Sequence, residues 1–123
     1  MATEIFFDRD QGFSIVKRSG KIASGEMIEG TRKLVSDPIF KEMKKSLTIL
    51  QDVDFSDVSA AELEDYASFC ENHIPDIQIA IVAPGDLEFG ISRRFQMLFG
   101  VEKVFVSRDM DRAVDWLGIG LPE

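Results

Sequence analysis

Residues 77–100 read IQIAIVAPGDLEFGISRRFQMLFG. Their first part is a run of β-branched and other apolar residues that stops at Pro84-Gly85, and their second part repeats apolar side chains at helical spacing. A short apolar run bounded by turn residues is typical of a strand buried in a parallel sheet. We therefore predict a strand at 77–83, a tight turn, and a helix at 86–99 that covers the sheet.

Strand and helix patterns alternate along the rest of the chain. Two short strand patterns, at 4–8 and 12–18, flank a loop of hairpin length, and Lys17 and Arg18 end the second strand as charges on an exposed edge or face. The other predicted elements are a helix at 25–36 capped by Ser24, a strand at 46–53, a helix from Ser59 to Pro75, a strand at 102–107 and a helix from Asp109 to Gly118. This order predicts an α/β fold with a mostly parallel five-stranded sheet, an antiparallel N-terminal strand and four helices.

Composition limits the classes of protein to which the chain can belong. Its 123 residues predict one domain, 1–123, and its hydrophobic content of 45% suffices for a core. A net charge of −8 disfavours nucleic acid and anionic membrane surfaces as partners. No run approaches the ~18 apolar residues of a membrane span, and the N-terminus lacks the apolar segment of a signal peptide. We therefore expect a cytoplasmic protein without an integral membrane segment.

No catalytic or metal-binding motif stands out, so we predict a non-enzymatic protein with no cofactor and no metal. The single histidine, His73, lies near the carboxyl end of a predicted helix, where a cation interacts favourably with the helix dipole. The single cysteine, Cys70, lies on the buried face of the same helix, whereas a reactive thiol needs exposure. Both residues are interpreted as structural.

Two acidic features could be taken for ligand sites. Asp52, Asp54 and Asp57 are spaced like a divalent-cation loop but lack its glycine and terminal glutamate, which favours a solvated loop. Asp86, after Pro84-Gly85, stands where an anion would lie in a phosphate-binding turn. It is interpreted as the cap of the following helix.

The predicted helix at 86–99 carries two apolar lines. Leu87, Ile91, Phe95 and Leu98 form one core stripe, and a second line follows Phe89, Arg93 and Met97. A helix that covers a sheet needs only one such stripe. The second line is either a surface that meets a second subunit, a partner protein or an apolar ligand, or part of a wide core face over which Arg93 extends.

Several segments together resemble the bacterial SpoIIAA-like family of small STAS/CRAL-TRIO-like domains. They are S-x-E-M from Ser24 to Met27, D-P-x-F from Asp37 to Phe40, the stretch from Ala80 to Leu98, and F-x-x-R-D-x-x-x-A-x-x-W-L from Phe105 to Leu117. The resemblance covers nearly the whole chain and implies a SpoIIAA/STAS-like fold. It implies a regulatory interaction module that associates with itself, as a homodimer, or with a protein partner.

The resemblance also implies two alternatives. STAS relatives include anti-sigma-factor antagonists that are phosphorylated on a serine within a D-S-S-G-like motif at the start of a helix. Here that region reads Asp57-Val58-Ser59-Ala60, without the paired serine and the glycine, and Ser59 is the best match. CRAL-TRIO relatives bind lipids, which implies a small apolar ligand or lipid.

Overall fold

The computed structural model describes residues 1–121, which form one five-stranded sheet flanked by four helices. The strands are β1 (Ala2–Asp8), β2 (Phe13–Lys21), β3 (Lys45–Asp54), β4 (Gln78–Val82) and β5 (Val104–Ser107). The helices are α1 (Glu26–Val35), α2 (Ala60–His73), α3 (Asp86–Phe99) and α4 (Met110–Leu117), with a 3₁₀ turn at Phe40–Glu42. No helix within residues 1–121 is long and apolar enough to cross a membrane.

The strand order is β1-β2-β3-β4-β5, with β1 antiparallel to β2 and every other pair parallel. The predicted fold class is therefore confirmed. Because each parallel crossover moves to the next strand in the same direction, right-handed connections place their three helices on one face of the sheet. The apolar side chains of α1, α2 and α3 accordingly share one core with β2–β5.

The other face of the sheet is covered by α4. Ala113 and Leu117 of α4 are fully or almost fully buried against Phe13, Ile15 and Leu47. Alternation of side chains along each strand assigns neighbouring residues to opposite cores. Leu47 and Ile49 thus face α4, whereas Leu50 faces the larger core.

A β-bulge interrupts the pairing of β2 with β3 before their carboxyl ends. Ser19 pairs with Gln51 and Gly20 with Val53, so Asp52 is the extra residue, with a φ of 51°. Aspartate tolerates this left-handed conformation better than most residues. The predicted acidic loop therefore begins inside β3, which continues to Asp54.

Two predicted helix caps are wrong. Gly25 occupies the N-cap position of α1 in the left-handed conformation, and the Ser24 hydroxyl donates instead to Glu62 of α2. Gly85 occupies the N-cap position of α3, so Asp86 is the first helical residue, and its carboxylate accepts from Arg108 at 2.7 Å. Serine and aspartate are both common at the N-cap position. Here each side chain instead binds a residue that is distant in the sequence.

The predicted core stripe of α3 is correct at Ile91 and Phe95, which pack in the larger core, and wrong at Leu87 and Leu98. Leu87 is 61% exposed and Leu98 39% exposed, whereas the buried residues of α3 are Glu88, Ser92, Phe95 and Phe99. The buried face includes two polar residues, and hydrophobic periodicity cannot find such positions. The Glu88 carboxylate lies beside Gly85 at the helix N-terminus, where the dipole favours an anion, and within residues 1–121 its Oε2 has no hydrogen-bond donor.

Candidate functional site

The side of α3 that faces away from the sheet is unusually apolar. Four of the seven exposed large hydrophobic side chains in residues 1–121 lie between positions 87 and 101: Leu87, Met97, Leu98 and Val101. Leu87 and Leu98 are eleven residues apart, which is about three helical turns, so they lie on one line along the axis. We call these four residues, together with Arg93, the α3 outer surface.

The second line predicted on α3 does not lie on a single surface. Met97 is 73% exposed and Arg93 is exposed, so both belong to the α3 outer surface. Phe89 is half-buried, packs against the core, and carries the Arg108 guanidinium 4.6 Å above its ring centroid. Phe89 is therefore at the margin of the surface, covered by an arginine that also binds Asp86.

A cavity of about 90 Å³ lies between the sheet and helices α1, α2 and α3. Most of its walls are aliphatic or aromatic, with Val16, Leu34, Ile79 and Phe95 among them. Its polar lining comes from residues that include Arg18, Thr31 and Tyr66. The cavity is thus an apolar space with a small polar cluster.

That polar cluster is built around Arg18. The Arg18 side chain of β2 is 9% exposed and donates from Nη2 to Thr31 Oγ1 at 3.3 Å. Thr31 Oγ1 in turn lies 3.0 Å from Tyr66 Oη. Burial raises the pKa of Tyr66 to about 12, so its phenol stays neutral at physiological pH.

The burial of Arg18 is the feature that the sequence prediction missed. Lys17 is exposed as expected, whereas Arg18 lies under α1 on the same strand face as Ser14 and Val16. The alternation of β2 carries this signal, because residues 14, 16 and 18 share one face. Because Arg18 is charged, the sequence predicts it on an exposed edge or face, whereas it belongs to the buried face.

The amino end of α2 holds Ser59, the candidate phosphorylation site. Ser59 is exposed, and its Oγ caps the helix by accepting from the Glu62 N–H at 3.1 Å. In a capping box the glutamate returns to the N-cap backbone. Glu62 instead accepts from Ser24 Oγ and, at 3.3 Å, from Gly25 N, which ties the beginning of α2 to that of α1.

The remaining candidate residues lie apart from one another. His73 is exposed, stacks on Phe69, and has Nδ1 at 2.8 Å from Phe69 O. Cys70 is 1% exposed, and burial raises the pKa of its thiol to about 11. Asp54 accepts from Ser56 N, and Asp57 pairs with Lys21 at 3.4 Å. Within residues 1–121 no three His, Cys, Asp or Glu side chains converge as a metal site would require.

Solved structures with the same fold include three that the chain covers almost completely. One is a protein of the DUF3478 family with a SpoIIAA-like fold from Shewanella loihica PV-4 (TM-score 0.60, 21% identity, 94% of this chain and 92% of that chain). Another is an anti-sigma factor antagonist from Mycobacterium paratuberculosis (TM-score 0.61, 19% identity, 96% and 94%). The third is the anti-sigma factor antagonist SpoIIAA in its unphosphorylated form (TM-score 0.55, 12% identity, 95% and 98%).

These matches confirm the SpoIIAA-like fold predicted from the sequence, and at these identities they concern the fold alone. No family model and no curated protein sequence matches the chain.

Proposed function

We propose, from the SpoIIAA-like fold, that this chain is a cytoplasmic, non-enzymatic interaction module that associates with itself through the α3 outer surface. Two proteins of the same fold are described as anti-sigma factor antagonists, which act on other proteins. The observation that carries the proposal is the group of exposed apolar side chains formed by Leu87, Met97 and Leu98 of α3 and by Val101 just beyond its end. Exposed apolar surface on a small domain is typical of interaction sites.

Two arginines lie on or beside this surface of an acidic chain. Arg93 and Arg94 are exposed next to the apolar residues of α3, while the molecule as a whole carries a net charge of −8. At this surface they offset part of the repulsion between two acidic molecules. Methionine and arginine are also enriched at interfaces.

Sedimentation velocity over a range of concentrations tests self-association. We expect a monomer–dimer equilibrium that Met97→Glu shifts to monomer, because the contact would then have to desolvate a charged side chain. The matched control is Phe6→Ser on the edge strand β1, where Phe6 is 45% exposed but lies away from α3. A dimer that Phe6→Ser abolishes and Met97→Glu leaves intact would place the contact on the sheet edge and contradict the proposal.

A second candidate function, binding of a small apolar molecule, is favoured by the cavity of about 90 Å³ beneath the helices. For comparison, an apolar cavity of about 150 Å³ accepts benzene. Native mass spectrometry of the chain purified from its own host is expected to show added mass that denaturation removes. Identical native and denatured masses would speak against this function.

A third candidate function, a phosphorylation switch at Ser59, is favoured by the exposure of its hydroxyl at the start of α2. A phosphate there would be stabilised by the helix N-terminus but repelled by Glu62 and Asp57. Labelling with cell extract and ATP is expected to mark the native chain and not Ser59→Ala. Equal labelling of both proteins would exclude this serine.

A further inference from the structure

Arg18 is a buried cation without an anionic partner. Its side chain is 9% exposed, and its Nε has no hydrogen-bond acceptor. In the part of the chain that the structure describes, no carboxylate oxygen lies within 4.0 Å of its guanidinium. A guanidinium keeps its charge at every pH at which proteins fold. Burial of such a charge is costly unless it is paired and hydrogen-bonded.

Within residues 1–121, the one hydrogen bond of the Arg18 side chain does not neutralise its charge. Thr31 Oγ1 accepts one hydrogen from Nη2 at 3.3 Å, a long bond to a neutral group. The neighbouring carboxylate of Glu26 is occupied elsewhere, since it accepts from Ala23 N at 2.8 Å and pairs with the amino group of Met1 at 3.2 Å. The Nε edge of Arg18 is therefore left for an acceptor from outside the chain.

Arg18 lines the cavity. It also lines a cleft between β1 and α1, whose charged lining includes Lys33 and the carboxylates of Glu26, Glu29 and Asp37. Leu34 is the other residue shared by the cavity and the cleft. A ligand that enters by this cleft meets Arg18 and Leu34 first, with the apolar space behind them.

We propose that the cavity is a binding site for a short aliphatic carboxylate whose carboxylate group accepts from Arg18. The inference rests on the second candidate function above and specifies its ligand. One unpaired guanidinium matches one negative charge, and an arginine donates to a carboxylate from Nε and Nη in parallel. The aliphatic walls accept the hydrocarbon tail, which a volume of about 90 Å³ limits to about three or four carbons.

Thr31 and Tyr66 are positioning residues in this site. Thr31 holds Nη2, and Tyr66 supports the Thr31 hydroxyl at 3.0 Å while it also lines the cavity. The hydrogen bond to Thr31 restricts the position of Nη2 before a ligand arrives. A phosphate fits less well, because its second charge would have no cation in the cavity.

Titration with butyrate and with the neutral butanol tests the proposal. Solution NMR follows the Nε–H resonance of Arg18, which is expected to shift downfield with butyrate and to stay unchanged with butanol. Charged hydrogen bonds are worth enough that butyrate should bind about 10- to 100-fold more tightly than butanol. Arg18→Met should abolish this difference, and the matched control Lys17→Met, an exposed neighbour on the opposite strand face, should retain it.

The possible outcomes distinguish selection of a carboxylate by Arg18 from binding of any apolar molecule in the cavity. If butyrate and butanol bind equally, or Arg18→Met leaves butyrate affinity unchanged, the cavity binds apolar molecules but Arg18 does not select a carboxylate. If neither compound binds the native chain, both the inference and the second candidate function fail. If Arg18→Met does not fold, the native chain alone decides: an Arg18 Nε–H resonance that does not shift with butyrate refutes the inference.

Discussion

Replacing Phe95 and Leu87 by alanine tests the orientation of α3 on the sheet. Phe95 is 6% exposed and lies with its ring centroid 5.5 Å from those of Tyr66 and Phe99. Loss of a buried phenylalanine costs about 3–5 kcal/mol. Leu87 is 61% exposed, so it retains less than half of the ~1.5–3 kcal/mol that full burial of a leucine contributes. We therefore expect Leu87→Ala to lower the free energy of unfolding by about 1 kcal/mol at most.

Urea denaturation at low protein concentration measures both effects. The single tryptophan, Trp116, is half-buried against Phe105 with a centroid distance of 5.5 Å, and its fluorescence reports unfolding. Low concentration keeps association through the α3 outer surface from contributing to either value. If Leu87→Ala destabilises the chain as much as Phe95→Ala does, α3 packs on the stripe that hydrophobic periodicity indicates, and the α3 outer surface does not exist.

Three further predictions concern single groups. Ser59→Ala should lower the free energy of unfolding by about 1 kcal/mol, because Ser59 caps α2, and urea denaturation measures this change; an unchanged value would show that the cap contributes nothing. Burial raises the pKa of Cys70 and Tyr66 to about 11 and about 12, above their ordinary values of 9.0 and 10.0, so stability should be full below pH 9 and decline as the pH rises from there. Urea midpoints at neutral pH and above pH 9 should show this decline, and Cys70→Ala should weaken it. The Gln11 N–H lowers the pKa of Asp8, and the Ser56 N–H lowers the pKa of Asp54. Stability should therefore be lost as the pH falls below the ordinary aspartate pKa of 3.8, and this loss should be smaller in Asp8→Asn and Asp54→Asn. An acid unfolding midpoint that is identical in these variants and the native chain would contradict the assignment.

The fold could be predicted from the sequence because its decisive signals are local. The apolar run before Pro84-Gly85 is a strand, Gln78–Val82, and the helix after it has the predicted bounds, Asp86–Phe99. Alternation of strands and helices then leaves few topologies, since parallel neighbours require crossovers of one hand. The capping role of Ser59 could also be predicted, because its partner, the backbone N–H of Glu62, is only three residues away.

The candidate sites were less predictable because they depend on contacts between distant residues. The Glu62 side chain accepts from Ser24 and Gly25, which are 38 and 37 positions away, and not from the backbone at the N-cap of its own helix. The face of α3 that packs on the sheet includes Glu88 and Ser92, so apolar spacing selected a stripe rotated toward Leu87 and Leu98. Arg18 is buried only because α1 covers it, which the strand itself cannot show.

The central claim, that the α3 outer surface is where this chain meets a partner copy, is tested most directly with ¹³C-methyl methionine NMR. Among the five methionines, Met97 lies on this surface at 73% exposure, whereas Met27 and Met43 are 6% and 5% exposed and serve as internal references. We predict that the Met97 methyl resonance shifts or broadens as the protein concentration rises, while those of Met27 and Met43 do not change. A Met97 resonance that stays constant over the concentrations at which sedimentation detects a dimer would contradict the claim.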